Sequence, residues 1–388
     1  MINLEDVCEF IVDCPHSTAK DEGEGFPLIR TPNIGKGRLL LDGVHRVSED
    51  VYNKRNARAV PQDDDLIFAR EAPAGNVAIV KNGEKVCLGQ RTVLLRLNKE
   101  LVNPDFLTYF LLAPEQQYGL LGTANGATVS HVNIPTIRGL KINLPPLQVQ
   151  SRIASILSAY DDLVENNQKQ IKLLDEAAQR LYKEWFIDLR FPGHETTPIV
   201  DGVPEGWKEQ SLYQIADVVM GQSPKSEYYN QVGEGLPFHQ GVGSYGNRFV
   251  SDETYSTSFT RIAEAGSILF SVRAPVGRLN LTKNKVVIGR GLAAINHRRG
   301  AQSYLFYLLK EKFFRDDIIG NGSIFASISK EELLNQTFLI PIDSLVEQFN
   351  GIAGGIDKKI DILSEQIRLL TEARNRLLPK LMSGELEV

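Results

Sequence analysis

Residues 144–186 read LPPLQVQSRIASILSAYDDLVENNQKQIKLLDEAAQRLYKEWF, and two seven-residue series run through them. Leu157, Val164, Ile171, Ala178 and Trp185 form one; Ile153, Tyr160, Asn167, Leu174 and Leu181 form the other. Asn167 is the single polar residue among these ten, so the stretch predicts a coiled-coil seam of about five heptads. At about 1.5 Å per residue such a helix is a rod of roughly 60 Å, longer than most domains are wide.

The stretch then recurs. Residues 340–381 read IPIDSLVEQFNGIAGGIDKKIDILSEQIRLLTEARNRLLPKL, and QIKLL at Gln170 becomes QIRLL at Gln366, a shift of 196. The same shift takes Pro145 to Pro341, Asp161 to Asp357, Glu176 to Glu372 and Arg180 to Arg376. In the second seam Ala353, Ile360, Ile367, Arg374 and Leu381 run beside Phe349, Ile356, Leu363, Leu370 and Leu377. A lone polar seam residue such as Asn167 fixes register at a cost in stability. Gly351, Gly354 and Gly355 weaken the start of the second helix by about 1 kcal/mol each relative to alanine, which predicts a break or bend there.

The duplication extends beyond the helices. LEDVCEFIVDCP, read as a helix-like opening, is matched by LYQIADVVMGQSP. GEGFPLIRTPNIGKGRL at Gly23 is matched by GEGLPFHQGVGSYGNRF at Gly233. Phe68, Ala72, Pro73 and Gly75 recur as Phe270, Ala274, Pro275 and Gly277. DFLTYFLLAPEQQYGLL, an apolar-faced helix, has its counterpart in YLFYLLKEKFF, and the turn-rich NGATVSHVN in NGSIFASIS. Asn82-Gly83 between two short apolar runs predicts a β-hairpin, and IRGLKINLPP a last strand before the helix. The expected fold is therefore α+β: two duplicated α/β domains, each followed by a long helix. The helices would pair as an antiparallel coiled coil with pseudo-twofold symmetry. The expected boundaries are a first domain at 1–143, a first helix at 144–190, a Pro/Gly/Thr-rich linker at 191–204, a second domain opening on PEGW at 205–340 and a second helix at 341–388.

Length and composition exclude several classes. With 388 residues, 42% hydrophobic and 23% charged, the chain suits two globular domains. No apolar run approaches about 18 residues, and MINLEDVCEF lacks a basic flank, so neither a membrane span nor a signal peptide is expected. Cys8, Cys14 and Cys87 form no C-x-x-C pair and suit reduced thiols in a cytoplasm. The six histidines are scattered without metal spacing. Asp63, Asp64 and Asp65 suit a solvated loop better than a metal site. Gly241 to Gly246 spells G-x-G-x-x-G, but NRFVSDETYS after it is not helical, so it reads as a loop rather than a dinucleotide site. There is no phosphate loop, nucleophile elbow, zinc-protease motif, amino-methyltransferase tetrad or nuclease pattern. The expected catalytic and metal residues are none.

Net charge is −5, against nucleic acid as a default partner. Charge is nevertheless uneven: Ala265 to Lys310 holds eight Lys/Arg and no acid, and Asn76 to Lys99 five against Glu84. Basic hairpins suit phosphate contact, and loops with Asn, Gln, Ser, Tyr and Arg suit base-edge readout. A merely solvated face suits the same residues. The loops after GEG differ between the halves while the framework persists, as two binding sites of different specificity require; neutral drift in surface loops has the same outcome.

Two short-stranded units, each followed by a proline-led long helix, with PEGW, AP-x-G and the ending LLPKLMSGELEV, resemble the specificity subunit of a type I restriction-modification enzyme along essentially the whole chain. The resemblance implies a non-catalytic reader of double-stranded DNA. Each domain would read one half of an interrupted, asymmetric target, and the paired helices would set the gap, so that a heptad inserted in both lengthens it. It also implies two methylation subunits carrying S-adenosylmethionine and docked on the outer helix faces, and restriction-motor subunits carrying ATP and magnesium, with no cofactor in this chain. The partners' share of phosphate contacts would explain the acidic chain, and the isolated subunit would bind DNA weakly. The expected DNA contacts are Arg30, Asn33, Lys36 and Arg38 in the first unit and Gln240, Ser244, Tyr245, Asn247 and Arg248 in the second, with Arg91 and Arg290 on phosphates. The alternatives are a coiled-coil adaptor that binds only proteins, and a single-chain methyltransferase or nuclease with degenerate motifs.

Overall fold

Short strands dominate both halves because their apolar runs are only two to six residues long and end at Gly, Pro or Asn. The computed structural model describes residues 1–122, 131–313 and 327–388, which form two units: residues 1–168 with 365–388, and residues 169–364. Most of the turn-rich NGATVSHVN (125–133) and NGSIFASIS (321–329) lies outside the described residues.

The first unit contains β1 (Cys8–Asp13), β2 (Phe26–Ile29), β3 (Gly37–Arg38), β4 (Arg46–Val47), β5 (Leu66–Ala69), β6 (Val77–Ile79), β7 (Cys87–Leu88) and β8 (Thr92–Leu97). One sheet has the order β1-β8-β5-β6-β3 and a second β4-β2-β7, in which β2 and β7 are parallel, Leu28 opposite Cys87. Helix α1 (Pro104–Leu112) packs Phe106, Leu107 and Phe110 into a core with Leu66, Phe68, Val93 and Leu95. Asn103 caps it by accepting from Phe106 N–H, and Ala113-Pro114 divides it from the next helical segment, since proline disfavours a helical residue before it. The apolar run at 106–121 is thus two helices, not one.

The second unit repeats the plan with β9 (Ala216–Met220), β10 (Tyr229–Asn230), β11 (Leu236–His239), β12 (Tyr255–Ser256), β13 (Ile262–Ala263), β14 (Ile268–Ser271), β15 (Leu279–Leu281), β16 (Val286–Ile288) and β17 (Leu292–His297). Its sheets run β9-β17-β14-β15 and β10-β12-β11-β16-β13, again with a parallel pair, β11 and β16. The second glycine of each GEG explains that motif. Gly25 and Gly235 have φ of 97° and 85°, and a Cβ on them would meet Val47 O at 2.3 Å and Ser256 O at 2.1 Å. The peptide before the proline of AP-x-G is cis in both units.

Helix α2 (Leu147–Phe186) and helix α4 (Asp343–Ser383) each contribute to both units; α3 (Gln302–Phe313) is the counterpart of α1. All twenty seam positions are buried or half-buried, whereas Leu163, Leu173, Ile362 and Leu369 off the seam are exposed. In the first unit, Asn167 Nδ2 donates to Gln366 Oε1 at 3.3 Å and Arg374 pairs with Asp161, an antiparallel register. In the second, Tyr182, Trp185 and Phe186 pack with Tyr304 and Phe349, and Trp207 of PEGW stacks near Phe186 and Phe191.

Three local expectations are corrected. The opening stretch is not helical beyond the single turn Leu4–Val7; Cys8–Asp13 is a strand because it pairs with Thr92–Leu97. Asn82 and Gly83 make a turn with φ of 57° and 68°, but β6 and β7 enter different sheets, so no hairpin forms. Helix α4 runs unbroken through Gly351, Gly354 and Gly355, because Phe349 and Ala353 beside them are fully buried and packing outweighs propensity. Among the described residues no helix is long and apolar enough to cross a membrane.

Candidate nucleic-acid interface

In the first unit β2 stops where Pro32 removes a backbone donor and turns the chain into the single 3₁₀ turn Thr31–Asn33. Asn33 closes this loop from inside: its Oδ1 accepts from Arg30 N–H at 3.2 Å and its Nδ2 donates to Leu40 O at 3.2 Å. Arg30 faces a cleft of about 180 Å³ that it shares with Thr18, Thr31, Arg55, Gln90 and Arg91. Arg55 is buried, and its guanidinium donates to three carbonyls, Leu88 O at 2.6 Å, Ser17 O at 3.0 Å and Pro15 O at 3.4 Å. Arg55 thus spends its donors on neutral carbonyls, which leaves its positive charge in the cleft.

Arg91 is held from below. Glu71 pairs with it at 2.5 Å and also meets His131 Nδ1 at 2.8 Å, while His131 Nε2 lies 2.9 Å from Arg70 Nη2. A guanidinium can only donate, so Nε2 accepts and the ring proton sits on Nδ1, pointing at Glu71. Farther along the loop Lys36 is exposed, and Arg38 pairs with Asp162 at 2.6 Å and with Glu165, both in α2.

The second unit builds the same rim from other residues. Gln240 follows β11 as Arg30 follows β2, and Gly289 N–H donates to His239 O at 2.8 Å as Gly89 N–H donates to Ile29 O at 2.7 Å. Ser223 Oγ donates to Gln240 Oε1 at 2.7 Å and accepts from Arg290 N–H at 3.2 Å. Gln222, Arg261 and Arg290 are exposed around it. His239, wholly buried, joins Ser244 Oγ at 2.9 Å to Asp252 at 3.1 Å. This serine-histidine-aspartate row pins the loop. It is not a catalytic triad, since its imidazole has no access to a substrate.

Arg248 and Asn33 are corrected as DNA contacts. Arg248 is 5% exposed; it pairs with Asp175 at 3.2 Å and with Asp357, donates to Tyr307 OH at 3.2 Å and lies 3.7 Å over the Phe306 ring. Burial opposes its charge, but Asp357, Tyr307 and Asp175 hold it protonated. Lys310 shares Asp175 at 2.9 Å, and burial lowers its pKa. Ser244 is spent on His239, and the Tyr245 hydroxyl is buried, which raises its pKa. Asn247 and Lys36 remain exposed at loop tips. The structure thus brings Arg30 together with Arg91, and Gln240 with Arg290. Residues 63–65 are a solvated run only at Asp63, which is exposed and accepts from Gly83 N–H; Asp64 pairs with Lys81 and Lys99, and buried Asp65 makes a bidentate pair with Arg96. No metal-binding cluster occurs among the described residues.

Sequence reasoning missed Ser223, Arg55, Glu71 and His131. Ser223 was reachable, because MGQSP aligns with the end of β1 and so with the rim. Arg55 was not, because it lies in a surface helix, Glu49–Arg55, whose charges read as solvated.

Two units on one scaffold, with polar and cationic residues exchanged at equivalent rims, are the arrangement of a two-site recognition protein. The family model for the type I restriction modification DNA specificity domain matches residues 1–176 and again 204–375. A putative type I restriction enzyme specificity subunit, MjaX, of Methanocaldococcus jannaschii is 31% identical, over 99% of this chain and 93% of its own. The MjaIX specificity subunit of the same organism is 26% identical over 89% and 83%. The solved type I S subunit from M. genitalium shares the fold, with a TM-score of 0.60, 16% identity and coverage of 98% and 94%. The chain belongs to the type I restriction-modification specificity subunits. It is the DNA-recognition component of such a system and not itself catalytic.

Proposed function

We propose that each unit reads one half of an interrupted, asymmetric double-stranded DNA target, and that α2 and α4 set the gap and dock two methylation subunits. The observation that carries this reading is the pair of equivalent rims, Arg30 with Arg91 and Gln240 with Arg290, on duplicated frameworks. Each unit also exposes apolar helix residues off the seam, Leu163 and Leu369 in the first and Leu173 and Ile362 in the second. These suit the methylation subunits as docking points. S-adenosylmethionine belongs to those subunits, and ATP with magnesium to restriction-motor subunits that join the same cytoplasmic complex. Exchange of residues 1–143 for those of another family member tests it. The methylated sequence should change in one half and persist in the other; a wholly unchanged sequence would refute the reading.

A further inference from the structure

We propose that Arg30 and Gln240 are specificity-determining residues at one structurally equivalent position, Arg30 reading a guanine in the first half-site and Gln240 an adenine in the second. The inference deepens the DNA-reading function above and rests on it. The equivalence is in the backbone. Each residue directly follows the strand that runs parallel to β7 or β16, and the same glycine N–H, Gly89 or Gly289, bonds to the carbonyl just before it.

Gln240 is held for readout. The Ser223 hydroxyl has one proton, committed to Gln240 Oε1, and its oxygen is fixed in turn by Arg290 N–H. That arrangement turns the amide oxygen toward Ser223 and leaves Nε2, with two hydrogens, without a partner among the described residues. Gly289 permits this approach, since a Cβ there would lie 2.4 Å from Oε1. The exposed amide keeps one lone pair on Oε1 beside an N–H on Nε2. One acceptor beside one donor is the pattern that adenine N6 and N7 require in the major groove.

Arg30 offers the opposite chemistry, donors alone. Its Nε is shielded and meets no acceptor among the described residues, while its backbone is anchored by Asn33. Arg91 beside it is engaged by Glu71 and Arg55 by carbonyls, whereas Arg30 has in Asp21 only a more distant charge, so its guanidinium is the one in this cleft most open to a ligand. A planar fork of donors matches guanine O6 and N7 and has nothing to offer adenine N6.

The test uses the full chain assembled with its own methylation subunits and selects bound duplexes from a library with randomised positions. Gln240→Arg should exchange adenine for guanine at one position of the second half-site, and Arg30→Gln should do the reverse in the first. Each should alter preference at that position roughly tenfold to a hundredfold. Ser223→Ala, a mild change, should blur the same second half-site position and no other. A selected sequence unchanged at every position in either exchange, or blurring by Ser223→Ala in both half-sites, would overturn the assignment. Failure of the unaltered complex to select any two-part sequence would instead sink the DNA-reading function itself.

Discussion

Asp161 and Asp357 occupy equivalent places in the two long helices, yet each takes its arginine from a different element. Asp357 is paired by Arg248 of the loop after β11, and Asp161 by Arg374 of α4. Each aspartate also has the equivalent tyrosine at hand: Tyr109 OH donates to Asp161 at 2.6 Å, while Tyr307 meets Arg248. One half-buried carboxylate therefore ties helix to helix, and its copy ties helix to the loop after β11. The copies have kept the charge and changed what it fastens.

Loss of the Arg248 cation should be severe. Arg248→Met takes from Asp357 its arginine and from Asp175 one of its two cations, Lys310 remaining, while both carboxylates stay partly buried, and a broken buried pair costs about 3–5 kcal/mol. Urea denaturation should show that loss. Adding Asp357→Leu should recover a good part of it, and a double variant no better than the single would contradict the pairing.

Asn167 should behave in the opposite sense. It is buried in the seam with one long bond to Gln366, so Asn167→Leu exchanges a weak hydrogen bond for apolar burial and should raise stability by about 1 kcal/mol or more. A lowered Tm would show that the amide contributes more than register.

Alkaline pH should weaken the first unit. Burial pushes the Cys8 thiol up to about 12 and the Cys87 thiol up to about 11, from 9.0. Above pH 9 the unfolded chain loses these protons and the folded chain keeps them, so the stabilisation present below pH 9 is lost as pH rises toward 11 and 12. Urea midpoints measured from pH 8 to 10.5 should fall. Cys8→Ala with Cys87→Ala should flatten that fall relative to the parent, and an equal slope would rule these two thiols out.

Releasing Arg91 should strengthen binding without regard to sequence. Glu71→Gln removes the carboxylate that holds it, so the complex should gain affinity for all duplexes, and its dependence on salt should steepen by about one unit of log–log slope. Titrations at several salt concentrations read this directly. A change confined to one sequence would make Arg91 a base contact.

The helices were legible because seam burial follows from a single periodicity, and Leu157 and Ile360 needed no tertiary information. Cys8–Asp13 was misread because its partner strand, Thr92–Leu97, lies far along the chain, and pairing overrides local pattern. The rim was half legible. Arg30 and Gln240 stand beside obvious turn signals, but nothing in the text of the sequence says that Arg248, a few residues on, folds inward to Asp357. The glycines of α4 misled in the same way, since Phe349 supplies from packing what the backbone lacks.

The first unit is assembled from two stretches, 1–168 and 365–388, with the whole of the second between them. Leu378 and Leu381 from the later stretch lie in the same core as Leu4 and Leu107. On the ribosome, the half that is made first must therefore wait. Residues 169–364 can complete their own core while the earlier domain still lacks its second helix. The core of the first unit is complete only once the last turns of α4 have been made, so the unit begun first is the one whose parts are all present last.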